Sequence, residues 1–217
     1  MKQLKDLRAL TLKIISLVLN KYEDHDFGYE FWDLFFTSVK PLVDGFKQEG
    51  SSSEKPSSLF SCFVAMSRSH NLVSLLYREK NLVADIFSIL TVTTASEAII
   101  SCVLKFIENL LNLDSELDDE DVTIKKVLLP NIETLICSLH CLFQSCNATK
   151  RILVKYPGET ELRIFKLLSK YIKDPLQARK FIDNLLPFLG KKAQNSGKTM
   201  AHQFLSWYLL YKHLLCP

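Results

Sequence analysis

The side chains best suited to chemistry are gathered in one segment, Cys137-x-x-His140-Cys141-x4-Cys146. Thiolates and imidazole bind structural zinc, but such sites usually draw on two knuckles of the Cys-x2–4-Cys kind held on turns. The apolar residues around this segment predict a helix. On a helix the neighbours His140 and Cys141 diverge by about 100°, and only Cys137 and Cys141 share a face. One face supplies half a tetrahedral site. The expectation is a pair of buried, reduced thiols and no metal.

Gly197-Lys198-Thr199 resembles the end of a phosphate-binding loop. The full pattern needs a glycine five residues before Gly197, where Lys192 stands, and a preceding strand. A helix is expected to end at Gly190 instead, so no nucleotide site is expected. The carboxylates from Asp114 to Asp121 lack the glycine and ligand ladder of a calcium loop, which leaves a solvated connector. The histidines His25, His70, His140, His202 and His213 form no Ser/His/Asp or Cys/His arrangement visible in the sequence. No catalytic residue, cofactor or small-molecule substrate is expected. The remaining candidates are basic pairs, Lys125-Lys126, Lys150-Arg151 and Lys191-Lys192. Such pairs are usually solvated helix ends, but aligned along one groove they would track RNA phosphates or an acidic partner.

The elements that would hold these residues read as helix after helix. Six Gly and seven Pro in 217 residues, 47% of them hydrophobic, argue for helices joined by short connections. Asp44-Gly45 is the sole hairpin-type dipeptide, and it falls in a helical stretch. The formal net charge of +3 permits an RNA or acidic-protein neighbour without demanding one. The six cysteines, Cys62, Cys102, Cys137, Cys141, Cys146 and Cys216, lie mostly in apolar runs and suit reduced thiols better than a disulfide framework. No secretory leader is expected, because Lys13 interrupts the apolar run 9–19 and no small-residue cleavage site follows. No membrane span is expected either. The apolar stretch 204–215 is short and carries Lys212 and His213.

Leu4, Leu7, Leu10/Leu12, Ile14/Ile15 and Val18/Leu19 recur at helical spacing and predict a first helix with one apolar face. A second helix is expected from Asp26 through Phe46, kinked or split at Pro41. Residues 48–58 form the clearest predicted loop. Shorter helices follow at 59–66, 72–77 and 82–90, and Thr91-Val-Thr-Thr94 is β-prone but too short to found a sheet. A strong helix is predicted over 95–113 with Ser96 as its N-cap, then the acidic connector and a helix reaching about Gln144 with Pro130 near its start. Helices at 149–155, 159–172 and 175–189 complete the series, the last opening on Asp174-Pro175 and stopping at Gly190.

The fold class is all-α, and helix pairs with apolar faces on both members suggest a HEAT/armadillo-like solenoid over a closed bundle. HEAT units run about 40–47 residues. Leu128-Leu-Pro130 and Leu185-Leu-Pro187 lie 57 residues apart, so any period is irregular.

Four strings are more specific: Asp26-Phe-Gly-Tyr-Glu-Phe-Trp-Asp-Leu-Phe-Phe36, Ser38-Val-Lys-Pro-Leu-Val43, Lys55-Pro-Ser-Ser-Leu-Phe60 and Lys155-Tyr-Pro-Gly-Glu-Thr-Glu-Leu-Arg163. They resemble the "down-regulated in metastasis" family, over residues 1–195. The resemblance implies a HEAT-like scaffold segment of the nucleolar small-subunit processome, acting in 18S ribosomal RNA processing beside U3 small nucleolar RNA. It implies processome proteins, pre-ribosomal RNA and U3 RNA as partners, by direct or indirect contact, and no catalytic residues. Residues 196–217 depart from the family's pattern and form a divergent apolar tail, as expected of a partial chain or splice form. Two other readings stand beside this one: a helical-repeat adaptor with no RNA role, and an enzyme, which would need convergent polar groups in a cleft.

Overall fold

The computed structural model describes residues 2–23, 25–116, 126–132, 134–135, 137–139 and 141–142. The described residues are helical and carry no strand. The predicted helices at 149–155, 159–172 and 175–189, the loop at Gly197, the tail and the boundary at residue 195 lie outside them. The chain divides into two compact units, Met1–Leu135 and Ile136–Pro217.

The first unit is built on α4 (Ser58–Met66), a helix nearly apolar all round. The Ser57 hydroxyl caps it by accepting the Phe60 amide at 3.1 Å. Phe60, Cys62, Phe63 and Met66 have no exposed surface, as a helix covered on several sides requires. One cover is α1 (Lys2–Lys21), which lies along α4. The Cys62 thiol donates to the Leu12 carbonyl of α1 at 3.2 Å. Another is α6 (Glu97–Glu116), where buried Asn109 donates to the Val64 carbonyl at 3.2 Å and to the Ser67 hydroxyl at 3.0 Å. Both amide hydrogens of Asn109 are thereby satisfied, which makes its burial affordable. Phe46, in a 3-10 turn (Phe46–Gln48), meets Phe60 and Phe63 edge-on at 5.2 and 5.6 Å, the geometry that aromatic quadrupoles favour. Phe87 of α5 (Leu82–Ser88) faces Phe106 of α6 at 6.2 Å.

The helix α2 (Gly28–Asp44) starts on a turn that only glycine fits well. Gly28 has φ +79°, and its amide donates to the Asp26 carboxylate at 2.8 Å. No atom lies within 4 Å of where a Cβ would stand, so an added methyl would strain the backbone and clash with nothing. Gly28→Ala is expected to cost about 1–2 kcal/mol, the left-handed penalty for an L-residue, read as a lower midpoint in urea with an unchanged slope.

The structure revises several expectations. Of the kink or split expected at Pro41, the split is absent, and α2 runs on to Asp44. The proline ring removes one amide donor, and the carbonyl it would have bonded, on exposed Thr37, is open to water. The predicted loop 48–58 opens with a single helical turn, α3 (Glu49–Ser52), before it becomes extended at Ser53. The 3-10 turns Val73–Tyr77 and Ile89–Thr91 take the place of part of the predicted α-helix. Ser96 does cap α6, accepting the Ile99 amide at 3.3 Å while donating to the Glu54 carbonyl. The helix then runs through Glu116, past the predicted end at 113 and into the acidic connector.

The first helix shows the largest difference. Its buried positions are Leu12, Ser16 and Leu19, while Leu4, Leu7, Leu10, Ile14 and Leu17 face outward. The predicted single apolar face is two faces, of which α4 covers one.

In the second unit, residues 137–139 and 141–142 are helical. Ser138, Leu139 and Leu142 are buried, and Cys137 and Cys141 are exposed. The expected burial of these two thiols is therefore corrected. They do share a face, four residues apart, but the leucines occupy the inward one.

Candidate interaction surface

Of the predicted RNA or partner contacts, Lys126 is exposed on the helical residues 126–128. Lys125, Lys150, Arg151, Lys191 and Lys192 lie outside the described residues.

Two sets of cations stand out in the first unit. One group is neutralised locally. Arg68 pairs with Glu23 at 2.6 Å and also reaches Asn20, which ties the end of α1 to the end of α4. Arg78 pairs with Asp33 at 3.0 Å and lies over the rings of Tyr29 and Phe36. Lys40 contacts Glu79 and Asp44, and the Glu79 hydrogen bond holds its ammonium pKa above the ordinary value. Lys105 meets Glu108.

The other group stands on α1. This helix carries Lys2, Lys5, Arg8, Lys13 and Lys21 against the single carboxylate Asp6. Its residues 3–11 are all exposed, and burial begins at Leu12. Beside it a shallow groove of about 200 Å³ runs between α1 and α2, lined by Arg8, Thr11, Ile15, Phe31 and Leu34 among others. The sequence contained the signal for this outward face. Leu7, Leu10, Ile14 and Leu17 follow a 3-4-3 spacing that excludes Leu12 and Leu19.

The titratable groups withdrawn from water serve the fold. The Glu49 side chain, largely buried, accepts from the amide of Ser57 and from its hydroxyl at 3.1 Å, and so braces the cap of α4. Burial raises its pKa above the ordinary carboxylate value, against the lowering effect of those hydrogen bonds. A carboxyl of raised pKa keeps its proton in the folded chain at pH values where the unfolded chain has released it. Its contribution to stability is full below the unfolded pKa, about 4.3, and is lost as pH rises through the folded one. Glu49→Gln keeps an acceptor for Ser57 and removes the buried charge. Its melting temperature is expected to exceed that of the parent at pH 7–8 and to match it below about pH 4. Glu49→Ala is expected to melt lower than the parent at every pH, having lost hydrogen bonds worth about 1–3 kcal/mol.

Cys62 and Cys102 are thiols whose pKa burial pushes up to about 12, with the nearby Glu49 carboxylate adding to the effect at Cys102. Among the described residues no three of His, Cys, Asp and Glu converge on a possible metal position, and no helix is long and apolar enough to cross a membrane.

No solved structure matches the chain. The family described as U3 small nucleolar RNA-associated protein 20, N-terminal, matches residues 1–215. That match takes in α1 to α6 and almost all of the 217 residues, and the chain therefore belongs to the U3 small nucleolar RNA-associated protein 20 N-terminal family.

Proposed function

We propose that this chain is a non-catalytic scaffold segment of the nucleolar small-subunit processome, supporting 18S ribosomal RNA processing and small-subunit biogenesis. The observation that carries the reading is the family match across residues 1–215. The strings at 26–36, 38–43, 55–60 and 155–163, which resemble the down-regulated in metastasis family, point the same way.

In this reading the helices belong to a HEAT/armadillo-like solenoid. The succession of short helices around an apolar α4 supports it, since stacked helical units bury a continuous core and leave long faces for partners. The partners are processome proteins, pre-ribosomal RNA and U3 RNA, and the place of action is the nucleolus.

The test is crosslinking of the tagged full chain in cells, with sequencing of bound RNA and identification of co-purifying proteins. Recovery of U3 and pre-18S RNA with processome proteins is expected. Proteins without either RNA would favour the adaptor reading, and recovery of neither would overturn the proposal. Charge reversal at Lys125, Lys126, Lys150 and Arg151 is expected to lower RNA recovery about tenfold, as loss of several phosphate contacts should. Unchanged recovery would remove these residues as contacts.

A further inference from the structure

The outer face of α1 is apolar along most of the helix. Leu4, Leu7, Leu10, Ile14 and Leu17 are 53–69% exposed. Scattered exposed leucines are ordinary on a protein surface, but five on one stripe of one helix form a contiguous patch, the usual mark of an interaction site. Leu7, Leu10, Ile14 and Leu17 hold the spacing of two heptads, which is the seam one helix presents to another.

The groove with α2 lies on the Arg8 side of the stripe, and Leu34, 69% exposed, lines it from α2. The charges around the stripe narrow the choice of partner. On an ideal helix Arg8 lies beyond one border of the stripe and Lys13 beyond the other, with Lys21 at its C-terminal end. Asp6, the sole carboxylate of α1, lies on the same border as Lys13, two turns nearer the N-terminus. Among the described residues no ion pair engages Lys5, Arg8, Lys13 or Lys21, in contrast to Arg68, Arg78, Lys40 and Lys105. A second copy of α1 would bring like charges together.

We infer that the outer face of α1 docks an amphipathic helix whose apolar seam is flanked by acidic residues, with Leu7, Leu10, Ile14 and Leu17 as the knobs and Arg8 and Lys13 as the flanking charges. The residues of this face are other than the basic pairs proposed to contact RNA, and the inference stands whether or not those pairs bind RNA.

The test uses the full chain and a fluorescent 21-residue peptide with leucine at a and d and glutamate at e and g, whose like charges keep it from pairing with itself. A matched peptide with lysine in place of glutamate, single-stranded RNA and anionic phospholipid vesicles complete the set. The acidic peptide is expected to bind, and to weaken with added salt. Leu7→Asp combined with Leu10→Asp should weaken it at least tenfold, and Lys13→Glu about threefold with a smaller salt dependence. These side chains are exposed, so the variants should keep the parent's circular dichroism. Failure of the acidic peptide to bind would overturn the inference, as would equal binding of the lysine peptide or of the Leu7/Leu10 variant. Binding of RNA or vesicles lost with the leucines, without peptide binding, would assign the face to that ligand instead and equally overturn it. The crosslinking experiment is unaffected by any of these outcomes.

Discussion

Phe63→Ala is expected to destabilise the chain by about 3–5 kcal/mol, the range for a phenylalanine truncated inside a close-packed core. Phe63 has no exposed surface, lies mid-way along α4 and meets Phe46 at 5.6 Å. The cost combines lost transfer energy with a cavity whose walls are held by α1 on one side of α4 and α6 on another. Domains of this size are stable by only about 5–15 kcal/mol, so the variant should lose much of its cooperative melt. The control is Leu34→Ala on α2, where 69% exposure predicts a change within about 0.5 kcal/mol. Chemical denaturation of the three chains checks both values. A Phe63→Ala midpoint equal to that of the parent would show that α4 is not the centre of the core.

The second large effect is on thiol reactivity. With its pKa pushed up to about 12, Cys62 has a thiolate fraction at pH 8 of about one in ten thousand, against roughly one in four for an ordinary thiol of pKa near 8.5. Alkylation goes through the thiolate, and the greater nucleophilicity of a high-pKa thiolate offsets part of its scarcity, so ionisation alone should slow Cys62 by roughly 50–100-fold against an ordinary exposed thiol. Its burial beneath α1, and its hydrogen bond to the Leu12 carbonyl, act in the same direction. Cys137 and Cys141 are exposed and should label first in the folded chain. Timed iodoacetamide labelling with peptide mass spectrometry, repeated in denaturant, separates the two classes. Labelling of Cys62 at the rate of Cys137 without denaturant would mean that α1 lifts from α4 in solution. The same measurement on the Leu7/Leu10 variant would show whether the outer face of α1 is independent of its inner one.

Helix positions were legible in the sequence because their causes are local. Apolar residues at a 3.6 period, a serine before the first turn and few turn-formers act within a handful of residues. Ser57 and Ser96 cap α4 and α6 through amides three residues on. The split expected at Pro41 is absent for a related reason. A missing donor breaks a helix only where the freed carbonyl finds no other partner, and exposure is not a local property.

Four strings that composition alone does not explain carried a family resemblance, and the family shown by comparison is the U3 small nucleolar RNA-associated protein 20 N-terminal family. The basic pairs were visible as charge, but whether they share a groove depends on how helices stack, which no string of residues states.

What the sequence determined by itself, then, was the helical class of the described residues and the Ser96 cap of α6. Only the tertiary structure decided which apolar stripe of α1 is covered, since Leu12 and Leu19 are buried while Leu7, Leu10, Ile14 and Leu17 meet water. It likewise decided that Cys62 is sealed and Cys137 open, and that Glu49 leaves solvent to hold a helix cap. The physical reason is that hydrophobic burial has no direction of its own. An apolar stripe seeks cover, and which stripe finds it depends on the elements that the rest of the chain brings alongside.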